Sequence, residues 1–144
     1  MLGPMGRLHH VPADACTGST AQTSGMSRFA AISGEAVGSR ALWMGRTHVA
    51  PGASSGPHHH GVSETAIFVV SGTPTFVCMD GDREVRIRTR PGDFVYVPPN
   101  VPHVESNEDS DEEAVVVIAR TTQEAIVVNL EGLEGGPEEP IVGV

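Results

Sequence analysis

The sequence predicts an all-β domain built from short strands. Three observations carry that expectation. Apolar, β-branched residues come in short runs, each closed by a Gly, Pro, Asn or Asp turn signal. Gly (17) and Pro (11) are plentiful while aromatic residues make up only 4%, a mix that suits tight turns more than long helices. Little of the chain shows the 3.6-residue apolar period of an amphipathic helix.

At 144 residues the chain is long enough to bury one core, and no linker divides it. Residues 1–27, rich in Gly, Ser, Thr and Ala, read as an N-terminal arm, with His9 and His10 solvated. Residues 28–130 hold the strands. Residues 131–144 read as a loosely held acidic tail. The first strand is expected at Arg28–Ser33. A stronger one at Ala41–Val49 carries Leu42, Trp43, Met44 and His48, and Pro51-Gly52 stops it. Thr65–Val70 is a buried strand ending at Ser71-Gly72. Thr73–Met79 and Glu84–Arg88 flank Asp80-Gly81-Asp82, a hairpin signal. In Glu84–Arg88 the alternation predicts Val85 and Ile87 inward. Phe94–Val97 lies between Pro91-Gly92 and Pro98-Pro99-Asn100. Pro102–Asn107 is short and extended, Ala114–Ala119 is a core strand, and Ala125–Leu130 is the last. Glu105, Glu108, Asp109, Asp111, Glu112 and Glu113 read together as a solvated acidic loop. The total, roughly seven to nine strands with turns at regular intervals, is the pattern of a sandwich or barrel.

A net charge of −9 argues against nucleic acid or an anionic membrane as partner. No apolar stretch is long enough to span a bilayer, and the N-terminus lacks the apolar core of a signal peptide. Cys16 and Cys78 lie far apart without zinc-type spacing and read as reduced thiols, which makes a cytoplasmic protein the expectation.

The chemistry is concentrated in Pro57-His58-His59-His60-Gly61-Val62-Ser63-Glu64. On an extended strand, side chains two apart share a face, so His58 and His60 converge while His59 faces away. Glu64, at an even offset from both, joins them if the strand is unbroken. Imidazoles and a carboxylate on one face are donors for a divalent first-row metal.

A second stretch completes the pattern. Gly92, Pro98, Asn100, His103 and Asn107 follow one another with five, one, two and three residues between them. This resembles the second signature of the cupin superfamily, with Asn100 where Gly is usual. Asn tolerates the left-handed backbone such a turn needs. Gly52, His58, His60, Glu64 and Gly72 resemble the first signature. Seven residues separate Glu64 from Gly72 where the family has six, so counting back from Gly72 puts the carboxylate's slot at Thr65. If Glu64 is not a ligand, His48 is the next candidate.

The resemblance implies a double-stranded β-helix, a jelly-roll barrel with a metal in its mouth, and a homodimer. It implies His58, His60, His103 and Glu64 (or His48) as ligands of one divalent ion per chain. Zinc is favoured, with iron, nickel and manganese as alternatives. Trp43, Met44, Phe68, Phe76 and Tyr96 are candidate pocket walls. Small stand-alone bacterial cupins that cyclise aromatic polyketides are the nearest analogy, so the expected activity is Lewis-acid-assisted aldol cyclisation and dehydration of a small-molecule carbonyl substrate, with Glu64 or His59 as base. A non-haem iron dioxygenase and a non-enzymatic metal- or metabolite-binding cupin are the other readings.

Overall fold

A computed structural model describes residues 6–134. The outermost parts of the expected arm (1–5) and most of the acidic tail (135–144) lie outside the described residues.

The described residues form ten strands: β1 (Met26–Ile32), β2 (Trp43–Val49), β3 (His58–His59), β4 (Thr65–Ser71), β5 (Thr75–Asp80), β6 (Arg83–Arg88), β7 (Phe94–Val97), β8 (Val104–Ser106), β9 (Ala114–Arg120) and β10 (Val128–Asn129). They form three antiparallel sheets, ordered β1-β2-β9-β4-β7, β6-β5-β8 and β10-β3. The all-β expectation holds, and most strands fall within a few residues of their predicted places.

The large sheet is organised by alternation. Along β2 every odd residue from Trp43 to Val49 is buried and every even one is half-exposed. Strand pairing carries that pattern sideways, because residues opposite each other share a face. One inner row reads Arg28, Thr47, Val116, Val69; the next reads Ala30, Gly45, Ile118, Ile67; the third brings Trp43, Arg120, Thr65 and Val97 together. Across the barrel, β5 contributes Phe76, which packs with Ile67, Val69, Val97 and Val116 as the main core. Met26, Val49 and Ala114 form a second cluster. Gly45 is required by this packing: a Cβ there would lie 2.8 Å from the Trp43 ring.

Three local expectations are corrected. Strand β6 is the edge of its sheet, so Ile87 stays 46% exposed and only Val85 is half-buried. The expected strand at Ala125–Leu130 reduces to Val128–Asn129, paired with β3. A short helix, α1 (Gly34–Val37), was not expected; Ser33 caps it through its hydroxyl and Gly38 ends it at φ 74°.

Candidate metal centre

Two backbone hydrogen bonds tie the halves of the constellation together. The His58 N–H donates to the His103 carbonyl (3.1 Å) and the His103 N–H donates back to the His58 carbonyl (2.9 Å). A third bond runs from the Asn100 N–H to the Gly61 carbonyl (2.8 Å), linking the turns beside the two histidine segments. Asn100 sits at φ 60°, the left-handed conformation anticipated for it. Asn107 secures the far end. Buried at 2% exposure, it donates from Nδ2 to the carbonyls of Val49, Ala50 and Glu112, so its role is to hold loops.

The imidazoles of His58, His60 and His103 meet as a result. Their ring centroids are 4.8, 4.4 and 5.0 Å apart pairwise, and one nitrogen from each lies within 4.8 Å of the others. Among the described residues this is the one such group of donor side chains. Each ring is held by its Nδ1. His58 bonds the Gly56 carbonyl (2.8 Å), His60 the Ile126 carbonyl (2.8 Å) and His103 the Val101 carbonyl (3.0 Å). A carbonyl only accepts, so each Nδ1 carries the proton and each Nε2 keeps its lone pair. Burial lowers the pKa of all three, to about 4 for His60 and His103, and the nearby cation Arg28 adds to the effect at His58 and His60. Three neutral imidazoles with fixed tautomers and free Nε2 atoms fit a divalent first-row ion.

Glu64 is not among them. The chain turns between β3 and β4: Gly61 adopts φ 56°, and the Ser63 N–H donates to the His60 carbonyl (3.1 Å). The turn breaks the parity that linked Glu64 to His60. Glu64 lies on the outer face, where its carboxylate accepts the Tyr96 hydroxyl (2.6 Å). That bond raises the pKa of Tyr96. Thr65 takes the inner position, 6% exposed, as the count back from Gly72 indicated. His48 is also outside the group. On β2 it alternates with buried Thr47 and Val49, contacts Glu113 at 3.1 Å through Nδ1 and meets the Phe29 ring edge-on. His59 turns away, as alternation predicted, and its Nδ1 accepts the Gly61 N–H (3.0 Å). Neither Glu64 nor His59 belongs to the cluster.

Of the expected wall residues, Trp43 and Phe76 face inward at 4% exposure. Met44, Phe68 and Tyr96 occupy the alternate, outer positions of their strands. The interior also holds charged groups that the sequence pattern did not single out. Arg120 stacks its guanidinium 3.9 Å over the Trp43 ring centroid and donates to the Thr122 and Gln123 carbonyls. Arg28 shares a face with buried Met26 and Ala30. Glu105 belongs to no solvated loop. It lies opposite Phe76 in β8, 8% exposed, and desolvation raises its pKa against the opposing pull of Arg28. One signal was present in the sequence: Glu105 is two residues beyond His103 on an extended segment, so both share a face. A cleft of about 640 Å³ lies on the other side of this sheet, along Val77, Val104 and Ser106, and does not reach the histidines.

The fold has solved counterparts. A recombinant oxalate oxidase aligns with a TM-score of 0.63 at 21% identity, over 78% of this chain and 58% of that one. The oxalate decarboxylase of Bacillus subtilis, which has Mn(II) centres, aligns with a TM-score of 0.65 at 23% identity, over 76% of this chain and 29% of that one. Peruvianin-I of Thevetia peruviana, described as a cysteine peptidase, aligns with a TM-score of 0.64 at 15% identity, over 79% and 72%. The chain thus spans less than two thirds of either oxalate enzyme, and likeness at these identities establishes the fold alone. No curated relative matches the chain. The Cupin domain family matches residues 45–119, more than half of the sequence, and the chain belongs to that family.

Proposed function

We propose that this protein is a metal-dependent enzyme acting at a carbonyl or carboxylate oxygen of a small organic substrate. The observation that carries the reading is the shared arrangement of His58, His60 and His103: each Nδ1 is committed to a backbone carbonyl, and each Nε2 is left as a donor atom. When bound there, a divalent ion supplies Lewis acidity toward such an oxygen, a role zinc fills without redox change. The Mn(II) centres of the Bacillus decarboxylase support a first-row ion in a barrel of this kind.

The chain's own residues supply the rest. Burial keeps the imidazoles neutral, so they remain donors well below neutral pH. Arg120, fixed over Trp43, keeps positive charge near the cluster and favours a substrate that carries or develops negative charge. Trp43 and Phe76 give the interior apolar surface from two facing sheets. Polyketide cyclisation is the finer form of this proposal. It needs a broad apolar wall to fold a long chain, and only two of the expected wall residues face inward, which favours compact substrates over extended ones.

The test is elemental analysis of protein purified without a histidine tag, alongside His60→Ala and His103→Ala. About one ion per chain in the parent and near-complete loss in both variants is the expected result. Full occupancy in the variants would overturn the ligand assignment. Bound iron with oxygen uptake would favour a dioxygenase, and a parent protein that retains no metal would favour a ligand-binding cupin without chemistry.

A further inference from the structure

Arg28, half-buried, and Glu105, buried, bring opposite charges to the barrel interior without making an ion pair. Arg28 points inward from β1, in the same row as Thr47 and Val116. Its backbone is clamped by Gln22, which accepts the Arg28 N–H at 2.8 Å and donates to its carbonyl at 2.9 Å. Thr23 accepts from Nη1 at 2.7 Å, and this is the guanidinium's one hydrogen bond among the described residues. Glu105 points inward from the opposing sheet. Its backbone is satisfied by Ser55, through bonds of 2.8 and 2.9 Å, while its buried Oε1 has no hydrogen-bond partner. The two side chains act on each other electrostatically, and Arg28 acts likewise on His58 and His60. Yet the ion-pair contact among the described residues is His48–Glu113, on the outer face.

A structural pair would close to contact, since a buried charge gains most from direct hydrogen bonding. A guanidinium fork with donors to spare and a carboxylate oxygen left unpartnered, both beside a three-histidine cluster, suit a third participant.

We propose that Arg28 and Glu105 form a two-point recognition pair for a small carboxylate that also carries a hydrogen-bond donor. Arg28 receives the carboxylate in its fork, and Glu105 accepts from a hydroxyl or amine of the same molecule. The inference deepens the proposed function by naming its substrate class and rests on that reading for the role of the neighbouring histidines. Arg28 recognises charge, Glu105 recognises the donor, and a neutral or donor-less analogue leaves one of them unmatched.

The experiment is a titration of the full chain with lactate, propionate (no donor) and lactamide (no charge). Calorimetry and the fluorescence of the single tryptophan, Trp43, report binding. Zinc-loaded and chelator-stripped protein are both measured, with metal content determined for each. Lactate should bind at least about tenfold more tightly than either analogue. Arg28→Met should remove most of that affinity and Arg28→Lys should restore part of it. Glu105→Gln should lower the lactate-to-propionate preference. Equal binding of the three probes to the parent protein, or lactate binding unchanged in Arg28→Met, would overturn the proposal. If the protein holds no metal but still prefers lactate in the stripped form, the metalloenzyme reading fails and the recognition pair stands. A metal-loaded protein blind to the three probes overturns the recognition pair and leaves the metal site standing.

Discussion

Two carboxylates follow cluster histidines in this chain, and they end on opposite sides of the barrel wall. Glu64 comes four residues after His60 and faces out to Tyr96. Glu105 comes two residues after His103 and is buried inside. Both offsets are even, and both would put the acid beside its histidine on a continuous strand. The difference lies in the backbone between them. A turn at Gly61 separates β3 from β4, whereas the path from His103 to Glu105 is extended. Parity is information about a strand and is lost at any residue that leaves the extended region.

Charge reversal should break the comparison most sharply. Glu105→Lys places a second cation near Arg28 in a buried site and should cost at least about 3 kcal/mol in urea unfolding. Glu64→Lys, on the outer face, should stay within about 0.5 kcal/mol. Equal losses would mean that both acids face the same way.

Acidification tests the histidines against the same background. His60 and His103 titrate at about 4 in the fold against 6.5 in the unfolded chain. Between those values the unfolded chain binds more protons, so stability falls as pH drops from 6.5 to about 4 and levels off below. Each group contributes about 3 kcal/mol to that loss. Glu105, whose pKa is raised, acts in the other direction, since its folded form favours the proton. Urea melts of metal-stripped Glu105→Gln protein, in which that opposing contribution is removed, should show the decline across this range, and a flat profile would place the imidazoles in solvent.

The turn itself can be probed. A Cβ at Gly61 would lie 3.0 Å from Ile126 Cγ2, and the Ile126 carbonyl holds His60. Gly61→Ala should therefore cost about 1 kcal/mol and weaken metal binding about tenfold. Gly81→Ala, at φ 64° with nothing within 4 Å of the added Cβ and remote from the histidines, is the control: it should cost a similar amount of stability and leave metal binding unchanged. The smallest effect belongs to Glu64→Gln. Metal retention should equal that of the parent, and an ultraviolet titration should show the Tyr96 hydroxyl returning toward its ordinary range as its bond to a charged acceptor is lost. A metal deficit in this variant would return Glu64 to the cluster.

The sequence by itself determined the strand-and-turn order, the left-handed turn at Asn100 and the identity of the three clustered histidines. The strand order and the convergence of His58 with His60 follow from local turn signals and alternation, while the turn at Asn100 and the place of His103 follow from the resemblance to the two cupin signatures. Tertiary structure decided the rest. It turned Glu64 outward, because a local turn resets the facing of every residue after it. It set Met44, Phe68 and Tyr96 on the outer surface, because a strand in this sheet buries only one of its faces. It supplied the Gly56, Val101 and Ile126 carbonyls that fix the imidazole tautomers, which no side-chain pattern encodes. It also brought Arg28 and Glu105 into one interior from strands far apart in the chain, a pairing that exists only once the two sheets close over each other.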